Sequence, residues 1–180
     1  MHIKALATAV SVSVAGLAGL SGLATAQNST GKPQPFGTFA DNPIYWPPSN
    51  LTISYPRITE LSDGTILATA GLNTVPAIFP IFSSSDGGAS WNWISNMTDQ
   101  VNGLGMNAQP ALAELPWAVG DWPAGTVLAS GNSWGRNSTN IDLYASKDKG
   151  KTWSFVSNVA RGSGPSTKNG NPCIWEPFIL

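Results

Sequence analysis

The octet SSDGGASW at residues 84–91 returns as SKDKGKTW at residues 146–153. Both fit the template Ser-x-Asp-x-Gly-x-(Ser/Thr)-Trp. A turn-like octet repeated at this distance means a chain built from repeated supersecondary units, and that excludes most folds. Two further elements recur in step with it. A Pro-led run, YPRITEL at residues 55–61, returns as QPALAEL at 109–115. A turn-and-strand run, DGTILATAG at residues 63–71, returns as AGTVLASGN at 124–132. The spacing is shorter for the Pro-led run than for the other two, because the second copy carries an insertion, ELPWAVGDWPAG.

No helical periodicity of useful length follows residue 27. Short apolar β-rich runs alternate with Gly/Pro/Asn/Asp turns, the pattern of an all-β chain. Each copy offers four strands: Pro-led, Gly-Thr-led, the run into the octet and the Trp-led run out of it. That predicts a β-propeller of four-stranded antiparallel blades, with a period above the common ~40–50 residues. A third copy opens where EPFIL at residues 176–180 aligns with residues 55–59 and 109–113. The sequence is thus expected to hold about two blades and the start of a third. Repeat units do not bury their apolar faces alone. We therefore expect residues 27–180 to be the N-terminal part of a longer propeller that folds poorly by itself.

Residues 1–26 stand outside that pattern. A basic start at Lys4 precedes an apolar run, ALATAVSVSVAGLAGLSGLATA, that ends in Ala24-Thr25-Ala26. These are the n-region, h-region and Ala-x-Ala end of a secretory signal peptide, 1–26, with the mature chain starting at Gln27. A membrane anchor fits less well, because the run is rich in Ala, Ser and Gly and no basic cluster follows Ala26. Sequons at Asn28, Asn50, Asn96 and Asn137 agree with export, and an extracellular protein is expected. With Cys173 as the only cysteine, no disulfide can form within the chain.

Composition removes several functions. Lys and Arg number 9 against 10 Asp and Glu, with no basic patch, so nucleic acid is excluded as a partner. The only histidine, His2, lies in the signal peptide. The mature residues therefore hold no Ser-His-Asp or Cys-His catalysis and no His-built zinc site; no metal or cofactor is expected. Eight Trp in a chain with 11% charged residues suit contact with a neutral saccharide. After signal cleavage no membrane contact is expected, and the protein is read as a monomer.

The octet itself reads as scaffolding. Asp86 and Asp148 can accept backbone N–H bonds at the turn between third and fourth strands. Gly88 and Gly150 supply a backbone geometry a Cβ would oppose. Trp91 and Trp153 each offer ~150–250 Å² for burial between sheets. A calcium site would need a cluster of oxygen ligands, and each octet brings one acid.

These octets match the Asp box, or BNR repeat, of sialidases and related propellers. Residues 55–71, with an Arg opening the innermost strand, resemble the first blade of such enzymes. With the secretory start, the NPCIWEPF segment and the lack of His, residues 36–180 most resemble the secreted fungal exo-arabinanases of glycoside hydrolase family 93. The resemblance implies a six-bladed propeller in the parent and a retaining hydrolase that cuts α-1,5-arabinan from a chain end. It also implies two catalytic glutamates, of which Glu176 in its WEPF setting is one. Such pairs stand about 5–5.5 Å apart.

Read on its residues, Glu176 is a carboxylate inside the apolar run CIWEPFIL, a costly place without a partner or a function. The repeat alignment puts Tyr55, Gln109 and Glu176 at one position of successive inner strands, whose ends converge on a propeller's axis. Arg57, two residues past Tyr55, belongs on the same strand face. Its guanidinium can bind substrate hydroxyls or pair with a carboxylate. Tyr55, Trp46 and Trp134 are candidates for stacking on sugar rings, although each Trp also suits packing between blades. Asn107 and Gln109 are candidate hydroxyl partners. A sialidase is the alternative, but only Arg57 matches its arginine set, and Asp99 and Asp121 are loose candidates for its acid. A non-catalytic carbohydrate-binding propeller is the third reading, because fold alone does not decide function.

Overall fold

The computed structural model describes residues 42–166, 170 and 173–180. The signal peptide 1–26, the start at Gln27 and the sequon at Asn28 lie outside the described residues. The compact unit that carries the repeats is Ile44–Leu180.

Each repeat copy folds into one antiparallel sheet, as the four runs per copy predict. The first sheet takes β1 (Ile53–Glu60), β2 (Ile66–Leu72), β3 (Phe79–Ser84) and β4 (Asn92–Met97), in that order. The second takes β5 (Ala108–Glu114), β6 (Val127–Trp134), β7 (Thr139–Ser146) and β8 (Ser154–Gly162). Sequential pairing through short turns follows from the Gly/Asp/Asn punctuation, since adjacent strands need only local closure. Two such sheets, each a blade, make a partial β-propeller. The described residues contain no helix long and apolar enough to cross a membrane.

The core lies between the blades. Leu61, Leu67, Phe79, Ile81 and Met97 of the first copy bury against Met106, Val127, Ala129 and Tyr144. Leu112, Trp153 and Phe155 of the second copy and Ile94 of the first pack at its margin. Neither sheet has a second apolar layer of its own, so each supplies the other's cover. The inner strands β1 and β5 run side by side, which brings the starts of the two copies together.

Both octets form the expected corner. Ser84 Oγ donates to Asp86 Oδ1 at 2.7 Å and accepts from Gly88 N at 2.8 Å. Ser90 donates to the same carboxylate from N (2.9 Å) and Oγ (2.5 Å). The second copy repeats this with Ser146, Asp148, Gly150 and Thr152, all at 2.7–2.8 Å. Gly88 and Gly150 sit at φ 92° and 85°, where an L side chain is strained. The anchors differ. Trp91 Nε1 turns back to Gly88 O, whereas Trp153 Nε1 reaches Ser95 on β4 of the other blade. Ser95 Oγ in turn donates to Gly150 O, so the second octet is also a joint between sheets.

The octet bonds make an acid-sensitive feature. The Ser90 hydroxyl, then the Ser90 N–H and the Ser84 hydroxyl, lower the Asp86 carboxyl from 3.8 to about 2. Burial pushes Asp148 up, but the Thr152 hydroxyl and N–H and the Ser146 hydroxyl outweigh it, so it also falls below its ordinary value. A depressed folded pKa stabilises the fold above the unfolded value, and that contribution is lost as pH falls through the folded one. Stability is therefore expected to drop between pH about 4 and about 2, and Asp86→Asn to flatten that drop. Thermal melts across this range check it; identical slopes in wild type and variant would refute it.

Residues 173–180 carry no strand, although they align with β1 and β5. A strand requires a ladder partner, which β2 gives β1 and β6 gives β5.

Candidate active site

The inner strands open with an unusual backbone. Tyr55, Gln109 and Glu176 adopt φ of 52°, 59° and 55°, and each precedes a proline. Left-handed backbone is uncommon for such side chains, and proline narrows the choices further. In β1 and β5 a register shift brackets the residue, between Ser54 and Arg57 and between Ala108 and Ala111. A bulge of this kind re-aims a side chain at a strand end.

The segment bearing Glu176 is held against the second blade. Asn132 Nδ2, on fully buried Asn132, donates to Ile174 O at 3.0 Å. The Trp175 ring meets the Trp134 ring edge-on at 5.4 Å, and Trp175 Nε1 donates to the half-buried Cys173 Sγ. Gln109 then binds Glu176 twice. Its Nε2 donates to Glu176 Oε1 at 2.7 Å, and its Oε1 accepts from Glu176 N at 3.2 Å. Arg57 Nη2 lies 3.5 Å from Glu176 Oε2. Three residues that align on the repeat or next to it, 119 positions apart at the extremes, thus meet at one point.

Glu176 is not the buried carboxylate expected from CIWEPFIL. Its side chain is 58% exposed, and its carboxylate meets Gln109 and Arg57. The result is an ion pair and an amide grip around a carboxylate open to solvent on its remaining side. Such a group can attack, or exchange a proton with, an incoming molecule.

The other candidates separate. Tyr55 is 44% exposed and shares the backbone of Gln109 and Glu176. Asn107 Oδ1 is engaged by Trp134 N at 2.8 Å, so Asn107 braces β6. Trp134 takes the packing alternative against Trp175. Trp46 is 79% exposed, and no described contact ties it to Glu176. Asp99 accepts from the N–H groups of Val101, Asn102 and Leu104 and from Ser133 Oγ. Burial pushes its carboxyl up, but these bonds, led by Asn102 and Ser133, hold it below its ordinary value. Asp99 is thus spent on shaping its loop and on joining it to β6. Asp121 is exposed, and its carbonyl takes a bond from Lys147.

Sequence reading missed Asp142. This carboxylate is 1% exposed within β7 and accepts from Asn102 Nδ2 at 2.6 Å and Asn158 Nδ2 at 2.7 Å. Its signal was a copy-to-copy difference, since the aligned residue is Pro80. Among the described residues no group of three His, Cys, Asp or Glu can hold a metal ion.

The chain matches the solved α-L-arabinofuranosidase of glycoside hydrolase family 93 from Fusarium graminearum, in complex with arabinobiose. Identity is 44% and the TM-score 0.75, over 79% of this chain and 42% of that one. The α-L-arabinanase of Penicillium chrysogenum, also solved with arabinobiose, matches at 43% identity and TM-score 0.74. That match covers 76% of this chain and 41% of the enzyme. This chain is a relative of the family 93 arabinanases. A further family 93 relative, the Fusarium graminearum enzyme with an iminosugar inhibitor, gives a TM-score of 0.76 at 44% identity. The chain spans about two fifths of the length of these family 93 structures. No protein-family model and no curated protein sequence matches it.

Proposed function

We propose that this chain is the N-terminal part of a secreted, retaining glycoside hydrolase that cleaves α-1,5-arabinan from a chain end. One observation carries the substrate: 44% identity, over 79% of the chain, to an enzyme solved with arabinobiose. The site is supported by the carboxylate of Glu176 standing open between Gln109 and Arg57. Glu176 is one of the two catalytic carboxylates in this reading, and its partner projects from a later inner strand, about 5–5.5 Å away. Arg57 pairs with the Glu176 carboxylate, as suits a neutral arabinan substrate. Tyr55, exposed on β1 two residues before Arg57, would offer a ring face to the sugar in this reading.

Export is supported by the leader at residues 1–26 and by three sequons whose asparagines, Asn50, Asn96 and Asn137, are exposed.

The full-length protein is to be incubated with linear α-1,5-arabinan and the products followed by proton NMR from the first turnover. Short arabino-oligosaccharides whose new reducing end keeps the α configuration are expected. Cleavage of sialosides with arabinan untouched would replace the reading by a sialidase. Arabinan bound but never cut would leave a carbohydrate-binding propeller.

A further inference from the structure

We infer that Gln109 is a positioning residue for Glu176, fixing the direction of its carboxylate through both ends of one side-chain amide. The inference rests on the reading of Glu176 as catalytic. Gln109 is 5% exposed, and its two polar atoms are committed to one residue. The Nε2 group binds the Glu176 carboxylate at 2.7 Å, and Oε1 binds the Glu176 main-chain N–H at 3.2 Å. Its other expected role, as a partner of sugar hydroxyls, is disfavoured by that burial, which leaves the second N–H and lone pair little access to solvent.

The grip acts on what a glutamate otherwise lacks. A glutamate side chain without such bonds samples several rotamers at similar energy, and ordering it costs entropy. Tying carboxylate and backbone to one rigid amide removes that freedom before substrate arrives, which is how positioning lowers a barrier. Arg57 cannot do this alone. Its contact is 3.5 Å long and its side chain is 43% exposed, so the pair is weak and screened. Gln109 in turn is fixed by burial within β5 and by the bulge that aims it. Its own left-handed φ of 59° is a local cost retained in the fold.

The test substitutes Gln109→Asn in the full-length enzyme, with linear arabinan as substrate. Asn tolerates positive φ better than Gln, so the fold should be kept or made more stable. One methylene shorter, it cannot reach both groups of Glu176. We expect kcat to fall roughly 100-fold with KM little changed and the melting temperature equal or higher. Gln109→Met, which keeps the length without the bonds, is expected to lose kcat in the same way. Glu176→Gln is measured beside them. If it is inactive while both Gln109 variants turn over like wild type, Gln109 positions nothing and the catalytic reading survives. If Glu176→Gln is fully active, both fall together. Should both Gln109 variants fail to fold, Gln109 is a fold determinant and the inference is overturned.

Discussion

Glu176→Ala in the full-length enzyme is expected to lower hydrolysis of linear arabinan by roughly 10²- to 10⁴-fold, the contribution of a positioned acid or base. The loss should be confined to chemistry. The Glu176 side-chain bonds run to Gln109 and Arg57 only at the carboxylate, and the backbone bond to Gln109 is kept in the variant, so the melting temperature should move little. Added azide or formate would occupy the space the carboxylate leaves and recover part of the rate on an aryl arabinoside. The product then separates two roles. If azide replaces a nucleophile, the glycosyl azide has inverted configuration. If it attacks a glycosyl-enzyme formed by the other carboxylate, configuration is retained and Glu176 is the acid/base. A variant as active as wild type would make Glu176 structural.

The second large effect is on stability. Phe79 is fully buried where the blades meet, and Gly131 on β6 lies directly against its ring. A Cβ at Gly131 would stand 2.1 Å from Phe79 Cε2 and 2.6 Å from Cζ, inside contact distance. Phe79→Ala is expected to cost roughly 3–5 kcal/mol, from lost burial and the cavity left behind. Gly131→Ala is expected to cost roughly 1–3 kcal/mol by overpacking. Together they should cost less than the sum, because the new methyl enters the space the ring vacates. Urea unfolding of the four proteins in the full-length background measures this. Strict additivity would mean that the two positions do not share one space.

The two parts of this protein differ in how legible they were. The octets were readable from sequence alone because all their polar bonds within the turn close inside one short segment. Ser84, Asp86, Gly88 and Ser90 carry the geometry in their own side chains and backbone. The order of strands followed for a similar reason, since each strand pairs with its neighbour in sequence, mostly across a short turn. The alignment of Tyr55, Gln109 and Glu176 was also readable, because a repeat keeps its register even where its residues change.

Burial was not readable. The aligned strands β1 and β5 share a pattern of residues, yet β1 is exposed along almost its whole length while β5 opens fully buried. The difference lies in what covers each strand, and β5 packs against both β1 and β2 of the first sheet. Glu176 was read as needing a partner, but which residues supply it was not readable, because Gln109 and Arg57 come from other strands. Asp142 was missed because its partners, Asn102 and Asn158, come from other segments 40 and 16 residues away.

Sequence by itself thus determined the repeat, the four strands of each copy, the octet corners and the three aligned inner positions. These depend on periodicity and on bonds between near neighbours. Tertiary structure alone decided which faces are covered, where Phe79 finds Gly131, and that Gln109 and Arg57 converge on Glu176 from 67 and 119 residues away. Those contacts arise when one sheet packs on another, and a one-dimensional pattern carries no record of that packing.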